Sequence, residues 1–194
     1  MANDERKGIS LKKLEVIADI TNRYGSITQI YHFVNTDTKS SQNLKYSLSL
    51  NKDVFISKFE IEINGEILFG KTKEKVTAKK EYNLAVKKGD NAVLISNDDE
   101  AHIFTIQTNL EKNGKAILFI TTEQFIKKRF GKYEFGLNLI NKYYNDVNKI
   151  LNKIKNIKMT ININDKNGIK NIKTFPFHFD KIKLNDIIYQ NHQN

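Results

Sequence analysis

The segment from Phe55 to Leu94 constrains the fold most strongly, because it has the pattern of two strands followed by one helix. Before Asn64-Gly65 the chain alternates between apolar and charged residues, which is typical of a half-buried strand. The apolar positions of this strand are Phe59, Ile61 and Ile63. Asn-Gly is the dipeptide best suited to a two-residue hairpin turn, since both residues accept a positive φ. The pattern therefore predicts a hairpin over residues 58–69.

The rest of this segment predicts a helix from Lys73 to Lys88. Gly70 breaks the second strand, and Gly89 is expected to end the helix as a left-handed residue after the last turn. A narrow apolar stripe follows the helical period along one face, and it consists of Ala78, Tyr82, Ala85 and Val86. The stripe is expected to pack the helix on the sheet, with the Tyr82 ring as an anchor rather than as a catalytic phenol.

Alternation with a period of two continues through most of the chain, with turn residues between the apolar runs. Clear examples are Leu14 to Ile20, Leu44 to Leu50 and Ile157 to Ile163, and the run from Ala116 to Thr121 has the composition of a central strand. Several short strands with regular turns predict a mainly β fold, an antiparallel β-sandwich with one or two short helices. The second helix is expected within residues 141–155, where the apolar spacing becomes helical.

Composition limits the kinds of function. The chain of 194 residues fits one large domain, and its lack of cysteine excludes a disulfide framework and a thiol nucleophile. The four histidines are scattered without metal-ligand spacing, and the common hydrolase, metalloprotease and nucleotide motifs are absent. We therefore expect no enzyme, no metal site and no cofactor. No apolar run is long enough to span a membrane, and the N-terminal residues lack the apolar run of a signal peptide.

An ordered set of residues resembles a known family. In and after the hairpin the matching positions are Phe55, Phe59, Asn64, Gly65, Gly70, Lys73, Glu74, Lys75, Ala78, Tyr82, Ala85, Gly89 and Ala92. Further along, Arg129-Phe130-Gly131-Lys132-Tyr133-Glu134 has the family's RxGxYE pattern. The order looks like the vault protein inter-alpha-trypsin (VIT) domain, shared by the inter-alpha-trypsin inhibitor heavy chains and by vault-associated proteins. The RxGxYE segment favours the heavy-chain branch.

The resemblance implies a domain organisation. Residues 14–172 are expected to form the VIT domain, preceded by an N-terminal extension at 1–13. Residues 173–194 match the pattern poorly, so they are expected to form either a last strand or the start of a linker to a von Willebrand A domain outside this chain. The strand would run through Phe175, Phe177 and Phe179, and Pro176 would restrict it to an edge of the sheet.

The resemblance implies a function as well. Heavy chains join the VIT domain to a von Willebrand A domain, carry a protease-inhibitor subunit and become attached to hyaluronan in the extracellular matrix. By resemblance, this chain is expected to be a secreted, non-catalytic interaction module. Its expected partners are the neighbouring von Willebrand A domain, a glycosaminoglycan such as hyaluronan, or a protease-inhibitor subunit. The alternative is an intracellular scaffold domain in the cytoplasm, which the missing signal peptide and the missing cysteine favour.

The net charge of +10 suggests two sets of cations as contacts for a polyanion. They are Lys73, Lys80 and Lys87 on one face of the helix, and Lys127, Lys128 and Arg129 between two strands. The alternative is that these cations only solvate the surface. Aromatic residues such as Tyr24 and Tyr31 do not interleave with them, so nucleic acid is not an expected partner, and neither is a membrane.

Two acidic groups have alternative interpretations. Glu74, in the first turn of the predicted helix, is either a docking point for another domain or a partly buried carboxylate that is paired within the fold. The triplet Asp98-Asp99-Glu100 has the clustered oxygens that calcium prefers, but it lacks the alternating ligand spacing. A solvated turn is therefore the favoured interpretation of the triplet.

Overall fold

The structure of the chain, a computed structural model, describes residues 8–69, 75–98, 103–136, 156–166, 168–173 and 184–191. Its elements are β1 (Ile9–Thr21), β2 (Tyr24–Asn35), β3 (Gln42–Ser49), β4 (Val54–Ile63), β5 (Glu66–Phe69), α1 (Lys75–Lys88), β6 (Val93–Asp98), β7 (Ile103–Leu110), β8 (Lys115–Phe125), β9 (Lys127–Arg129), β10 (Lys132–Glu134), β11 (Ile157–Asn164) and β12 (Leu184–Asn191). Strands dominate, so the predicted mainly β fold is confirmed.

Seven strands form a large sheet in the order β12-β11-β1-β2-β8-β4-β5. From β1 to β5 the neighbours in this order pair antiparallel, as predicted. The other end differs, because β11 runs parallel to β1 and β12 runs parallel to β11. Residues 165–183 separate β11 from β12, which is a connection long enough for the crossover that parallel neighbours require. The sheet is therefore mixed rather than wholly antiparallel.

A smaller sheet, in the order β3-β7-β6, packs on one face of the large sheet and closes the core. The predicted alternation is confirmed in β1, where Leu14, Val16 and Ala18 are buried. Across the two sheets, the Tyr31 ring of β2 lies 4.8 Å from the Tyr46 ring of β3, measured between centroids. Burial raises the pKa of both phenols. The core is thus an aromatic and aliphatic layer between two sheets.

A polar network fastens the loop after β2 to the turn before β8. The side-chain amide of buried Asn35 donates to the Glu111 carbonyl at 2.8 Å. Asp37 accepts from the Ser40 hydroxyl at 2.6 Å and from the Lys39 amide at 2.8 Å. These bonds, with the Ser40 hydroxyl as the main cause, lower the pKa of Asp37 to about 2. The loop is therefore ordered by side chains that satisfy backbone groups.

Several predicted features lie partly or wholly outside the described residues. The predicted helix at 73–88 is observed as α1 from Lys75 onward, and residues 70–74 are not described. The second helix within 141–155 and the strand through Phe175 to Phe179 also fall outside the description. The predicted domain boundaries stay predictions. Within them, β1 already begins at Ile9, and β12 adds an edge strand to the large sheet at Leu184–Asn191.

Candidate interaction surfaces

The Asn64 hairpin, formed by β4 and β5, turns at Asn64-Gly65 as predicted. Ile63 pairs with Glu66 across the turn, and Asn64 and Gly65 have positive φ angles of 50° and 91°. The Asn64 amide donates to the Lys115 carbonyl at 3.2 Å, and the Asn64 side-chain oxygen accepts from the Lys115 amide at 3.1 Å. The turn residue thus also bonds to the start of β8, which makes this hairpin part of the large sheet.

The end of α1 has the predicted left-handed glycine. Gly89 has a φ of 82°, and its amide donates to the Val86 carbonyl at 3.1 Å. The Asp90 amide donates to the Ala85 carbonyl at 3.0 Å. These two bonds form a Schellman motif, which satisfies carbonyl groups that the end of a helix would otherwise leave without a donor.

The apolar stripe of α1 faces an open groove rather than a closed core. Ala78, Tyr82 and Ala85 are half-buried, and with β4 to β7 they line a groove of about 920 Å³. Phe59 and Phe104 line it as well, with ring centroids 6.0 Å apart. Partial burial raises the pKa of the Tyr82 phenol. The Tyr82 ring therefore lies where an anchor of the helix would lie, and its role stays a prediction.

The remaining positions of the family motif have different surroundings. Three of them lie outside the described residues, namely Gly70, Lys73 and Glu74. Both interpretations of Glu74 therefore stay predictions. Lys75 begins α1, and the Ala92 carbonyl accepts from the Thr108 hydroxyl at 2.7 Å, which ties the segment after the helix to β7. Phe55 of β4 is 68% exposed and contributes little to the core.

The RxGxYE segment lies in a second hairpin, the Phe130 hairpin, formed by β9 and β10. Arg129 pairs with Lys132, so the turn consists of Phe130 and Gly131, whose φ angles are 49° and 77°. The prediction that residues 127–129 lie between strands is wrong, because they form β9. The strand escapes a search for apolar alternation, since each of its residues is charged.

The Phe130 hairpin projects from the end of β8. In the described part of the chain it pairs with no strand outside itself, and residues 127–134 are all exposed. Its base is held by buried Ile126, whose amide donates to the Arg23 carbonyl at 2.7 Å. The Lys127 ammonium forms an ion pair with Asp53, and this contact lowers the pKa of the Asp53 carboxyl.

Two contacts within the Phe130 hairpin join its strands. Arg129 Nε lies 3.7 Å from a carboxylate oxygen of Glu134, which is a loose ion pair. The Lys128 ammonium lies 5.4 Å from the centroid of the Tyr133 ring, within the range of a cation–π contact. The motif residues Arg129, Gly131, Tyr133 and Glu134 thus shape this hairpin.

The structure places the two predicted sets of cations on different elements. In the first set, Lys80 and Lys87 are exposed on α1, and Lys73 lies outside the described residues. In the second set, Lys127, Lys128 and Arg129 are brought together on β9, and Lys132 joins them from β10. Sequence reasoning missed Lys132 and Phe130 as members of this surface. The signal that could have found them is the Phe-Gly pair between two groups of cations.

Other polar groups make structural contacts. His32 Nε2 lies 3.2 Å from the Glu15 carboxylate, which also pairs with Lys13 at 2.8 Å. The Lys13 contact is the main cause that lowers the pKa of Glu15. Among the described residues, no group of three or more His, Cys, Asp or Glu could hold a metal ion. Of the acidic triplet, Asp98 ends β6, and the two following residues are not described.

Comparison with known proteins places the chain among relatives. The family model described as VIT, vault protein inter-alpha-trypsin domain, matches residues 11–122. The inter-alpha-trypsin inhibitor heavy chain H3 of Bos taurus is 28% identical over 166 residues, which covers 85% of this chain and 18% of that protein. The heavy chain H4 of Homo sapiens is 26% identical over 171 residues, covering 88% and 17%. The heavy chain H1 of Homo sapiens is 29% identical over 133 residues, covering 68% and 14%.

The extent of these matches decides what they show. The chain spans less than a fifth of the length of these heavy chains. The Asn64 hairpin, α1 and Gly89 lie inside the range of the family model, and the Phe130 hairpin lies beyond it. Because that range is more than half of the 194 residues, the chain belongs to the family of vault protein inter-alpha-trypsin (VIT) domains.

Proposed function

We propose that the chain is a non-catalytic interaction module of a protein built like an inter-alpha-trypsin inhibitor heavy chain. The observation that carries the proposal is the match of the VIT model to residues 11–122. The relatives support it, because they are named as heavy chains of an inhibitor. The role of a module in such a protein is to hold or recognise another part of the assembly.

The polar groups of the described chain support a binding role. Buried Asn35 and Asp37 order a loop, and buried Gln29 accepts from the Tyr31 hydroxyl inside the core. Catalysis would need a nucleophile, a base and an orienting group together at one accessible place. The cations of the Phe130 hairpin lie on one exposed pair of strands, and such a surface attracts anionic partners.

The finer form of the proposal follows the family. The module is secreted and acts beside a von Willebrand A domain of the same longer protein, which carries a protease-inhibitor subunit and becomes attached to hyaluronan. The alternative is an intracellular VIT scaffold domain of the vault-associated kind, which the absence of cysteine favours. Recovery of the full-length protein from the culture medium of its own cells supports the first form, and recovery from the cytosol supports the second.

The described part of the chain contains no helix that is long and apolar enough to cross a membrane.

Binding to three probes tests the proposal. The probes are hyaluronan, heparin and the von Willebrand A region of the same full-length protein, called the heavy-chain region, each titrated from low to physiological salt. We expect saturable binding to the heavy-chain region that persists at physiological salt, where exposed charges are screened beyond about 8 Å. The proposal is rejected if the heavy-chain region is not bound and if binding to heparin and to hyaluronan is equally and steeply salt-dependent. Such binding would be a generic effect of the net charge.

A further inference from the structure

Phe130 stands at the apex of the Phe130 hairpin with its whole side chain in solvent. Its relative exposure is 101%, the highest among the large apolar side chains that the structure describes. Phe125, next to the base of the hairpin, is 70% exposed, and Tyr133 of β10 is 47% exposed. Burial is the usual source of stabilisation from an aromatic ring, so the fully exposed Phe130 ring adds little to the stability of the domain.

The backbone at the apex is also unfavourable for phenylalanine. A φ of 49° lies in the left-handed region, which Asn and Gly occupy readily and bulky residues occupy rarely. The same chain has asparagine, Asn22 and Asn64, at the equivalent position of two other two-residue turns. Phe130 therefore favours neither the turn nor the core. A bulky apolar residue at an exposed position with an unfavourable φ points to a role outside the fold.

Cations surround the apex. Lys128, Arg129 and Lys132 lie within two residues of Phe130 along the chain, and all of them are exposed. Lys127 adds a fourth cation at the base, where it pairs with Asp53. The hairpin thus combines an apolar apex with a collar of positive charge.

We propose that the Phe130 hairpin binds the surface of an anionic lipid bilayer, with the Phe130 ring inserted at the boundary between headgroups and acyl chains. Peripheral segments bind such membranes through an apolar residue at this boundary and through Lys and Arg at the level of the phosphates. Tyr133, behind the apex, has an apolar ring and a polar hydroxyl, which suits the headgroup level. A soluble polyanion would use the cations but not the exposed apolar ring.

This contact goes beyond the proposed function, and it fits the intracellular alternative, since anionic lipids give the cytoplasmic leaflet its negative surface potential. It is a contact with the membrane surface and needs no spanning segment. It differs from the sequence-based expectation that a membrane is not a partner, because the structure brings Phe130, Lys132 and the β9 cations onto one hairpin.

Co-sedimentation with vesicles tests the proposal. Vesicles of phosphatidylcholine and phosphatidylserine are compared with vesicles of phosphatidylcholine alone at physiological salt, and we expect binding to the anionic vesicles only. The variant Phe130→Asn keeps every charge and has a residue that suits the turn, so it is expected to fold normally. Its affinity for the anionic vesicles should fall by on the order of tenfold or more, since the ring is lost from the boundary.

A charge-matched pair of variants completes the test. Lys128→Gln combined with Lys132→Gln should weaken vesicle binding by about fivefold for each lost cation. Lys112→Gln combined with Lys158→Gln removes the same charge from two exposed positions, one in the turn before β8 and one in β11, and should leave the affinity nearly unchanged. The proposal is overturned if the anionic vesicles are not bound, or if Phe130→Asn binds them as well as the unchanged chain. If the unchanged chain and Phe130→Asn bind heparin equally well and neither binds vesicles, the hairpin is assigned to a soluble polyanion instead.

Discussion

The Asn64 hairpin and the Phe130 hairpin have the same turn and opposite surroundings. Each turns through two residues of positive φ, with glycine as the second residue. The Asn64 hairpin belongs to the seven-stranded sheet and bonds to β8 through its first turn residue. In the described structure, the Phe130 hairpin forms a sheet of its own two strands. The same turn geometry therefore occurs once inside the seven-stranded sheet and once in an exposed two-stranded hairpin.

The two hairpins differ most clearly in their first turn residues, Asn64 and Phe130. Asn64 has a side chain that tolerates the left-handed region and contributes a hydrogen bond to Lys115. Phe130 does neither, and its ring is exposed. Local sequence and overall fold agree at the first turn and conflict at the second, and such conflicts are expected at functional sites. The comparison therefore contrasts a turn whose first residue stabilises the sheet with a turn whose first residue is an exposed ring in an unfavourable backbone conformation.

The largest expected effect concerns buried Ile63, the last residue of β4, compared with exposed Phe125, the last residue of β8. Ile63 is 0% exposed, so Ile63→Ala should lower the free energy of unfolding by about 2–5 kcal/mol through lost burial and a cavity. Phe125 is 70% exposed and its ring lies edge-on to the Tyr24 ring, with 5.7 Å between the centroids, so Phe125→Ala should lower it by only about 1 kcal/mol or less. Urea unfolding followed by circular dichroism measures both values. Similar losses of unfolding free energy in the two variants would contradict the expected difference between the two positions.

Substitutions of the second turn residues, Gly65 and Gly131, should differ in whether they destabilise the whole domain or only the hairpin. A Cβ added at Gly65 or Gly131 meets no atom within 4 Å, so the cost of Gly65→Ala or Gly131→Ala comes from the backbone alone. That cost is about 1–2 kcal/mol for a left-handed alanine. Gly65→Ala should lower the global free energy of unfolding by this amount. Gly131→Ala should leave the global value nearly unchanged and speed amide exchange within residues 127–134, and a full global loss there would show that the second hairpin supports the core.

A smaller effect is expected at the first residue of the sheet-bound turn. Asn64→Gly removes the acceptor for the Lys115 amide but keeps a residue that accepts a positive φ, and it should lower the free energy of unfolding by about 1 kcal/mol. Asn64→Asp keeps an acceptor and a residue that tolerates positive φ, so it serves as the control and should lie close to the unchanged chain. Thermal unfolding of the three proteins side by side checks the order. Equal losses for both variants would assign the effect to something other than the acceptor.

The smallest effect is the pH dependence of the base of the Phe130 hairpin. The Lys127 ammonium holds the pKa of Asp53 below its ordinary value. Because the folded pKa is the lower one, the pair stabilises the base above the unfolded pKa of Asp53, and this contribution is lost as the pH falls through the folded pKa. The pair is exposed, so the change should be small, weaker in high salt and confined to the hairpin.

Nuclear magnetic resonance shifts followed to a pH below the ordinary pKa of an aspartate, where Asp53 becomes protonated, check this prediction. Signals of residues 127–134 should move toward those of a loosened hairpin, while the methyl signals of buried Ile63 stay in place. In Asp53→Asn, the signals of residues 127–134 should already be in the loosened position at neutral pH. A variant that still titrates like the unchanged chain would exclude the Asp53 pair as the cause.

Much of the fold could be predicted, because its signals are local. The alternation around Leu14 and Ile61, the Asn64-Gly65 turn and the left-handed Gly89 each depend on residues close together in the chain. The parallel pairing of β11 with β1 could not be predicted in this way, since nothing in either strand specifies its neighbour across the sheet. The same holds for buried Asn35, which bonds to the Leu110 carbonyl 75 residues later in the chain.

The candidate surface was harder to predict than the fold, for a physical reason. Strands of three charged residues carry no apolar period, and phenylalanine is not a typical turn residue, so β9 and its turn give weak local signals. The sequence identified Lys127, Lys128 and Arg129 as cations, but only the paired hairpin adds Lys132 opposite Arg129. The conflict between Phe130 and its left-handed backbone can be recognised only once the geometry of the turn is known.

Amide hydrogen exchange of Phe130→Asn beside the unchanged chain tests the central claim, which is that Phe130 occupies its turn at the expense of local stability. Asparagine at this position removes a left-handed backbone strain of about 1 kcal/mol or more, so we predict that amides of residues 127–134 exchange about fivefold more slowly in the variant. Exchange in the Asn64 hairpin should be the same in both proteins. Faster exchange across residues 127–134 in the variant would contradict the claim, because it would show that the Phe130 ring stabilises the hairpin.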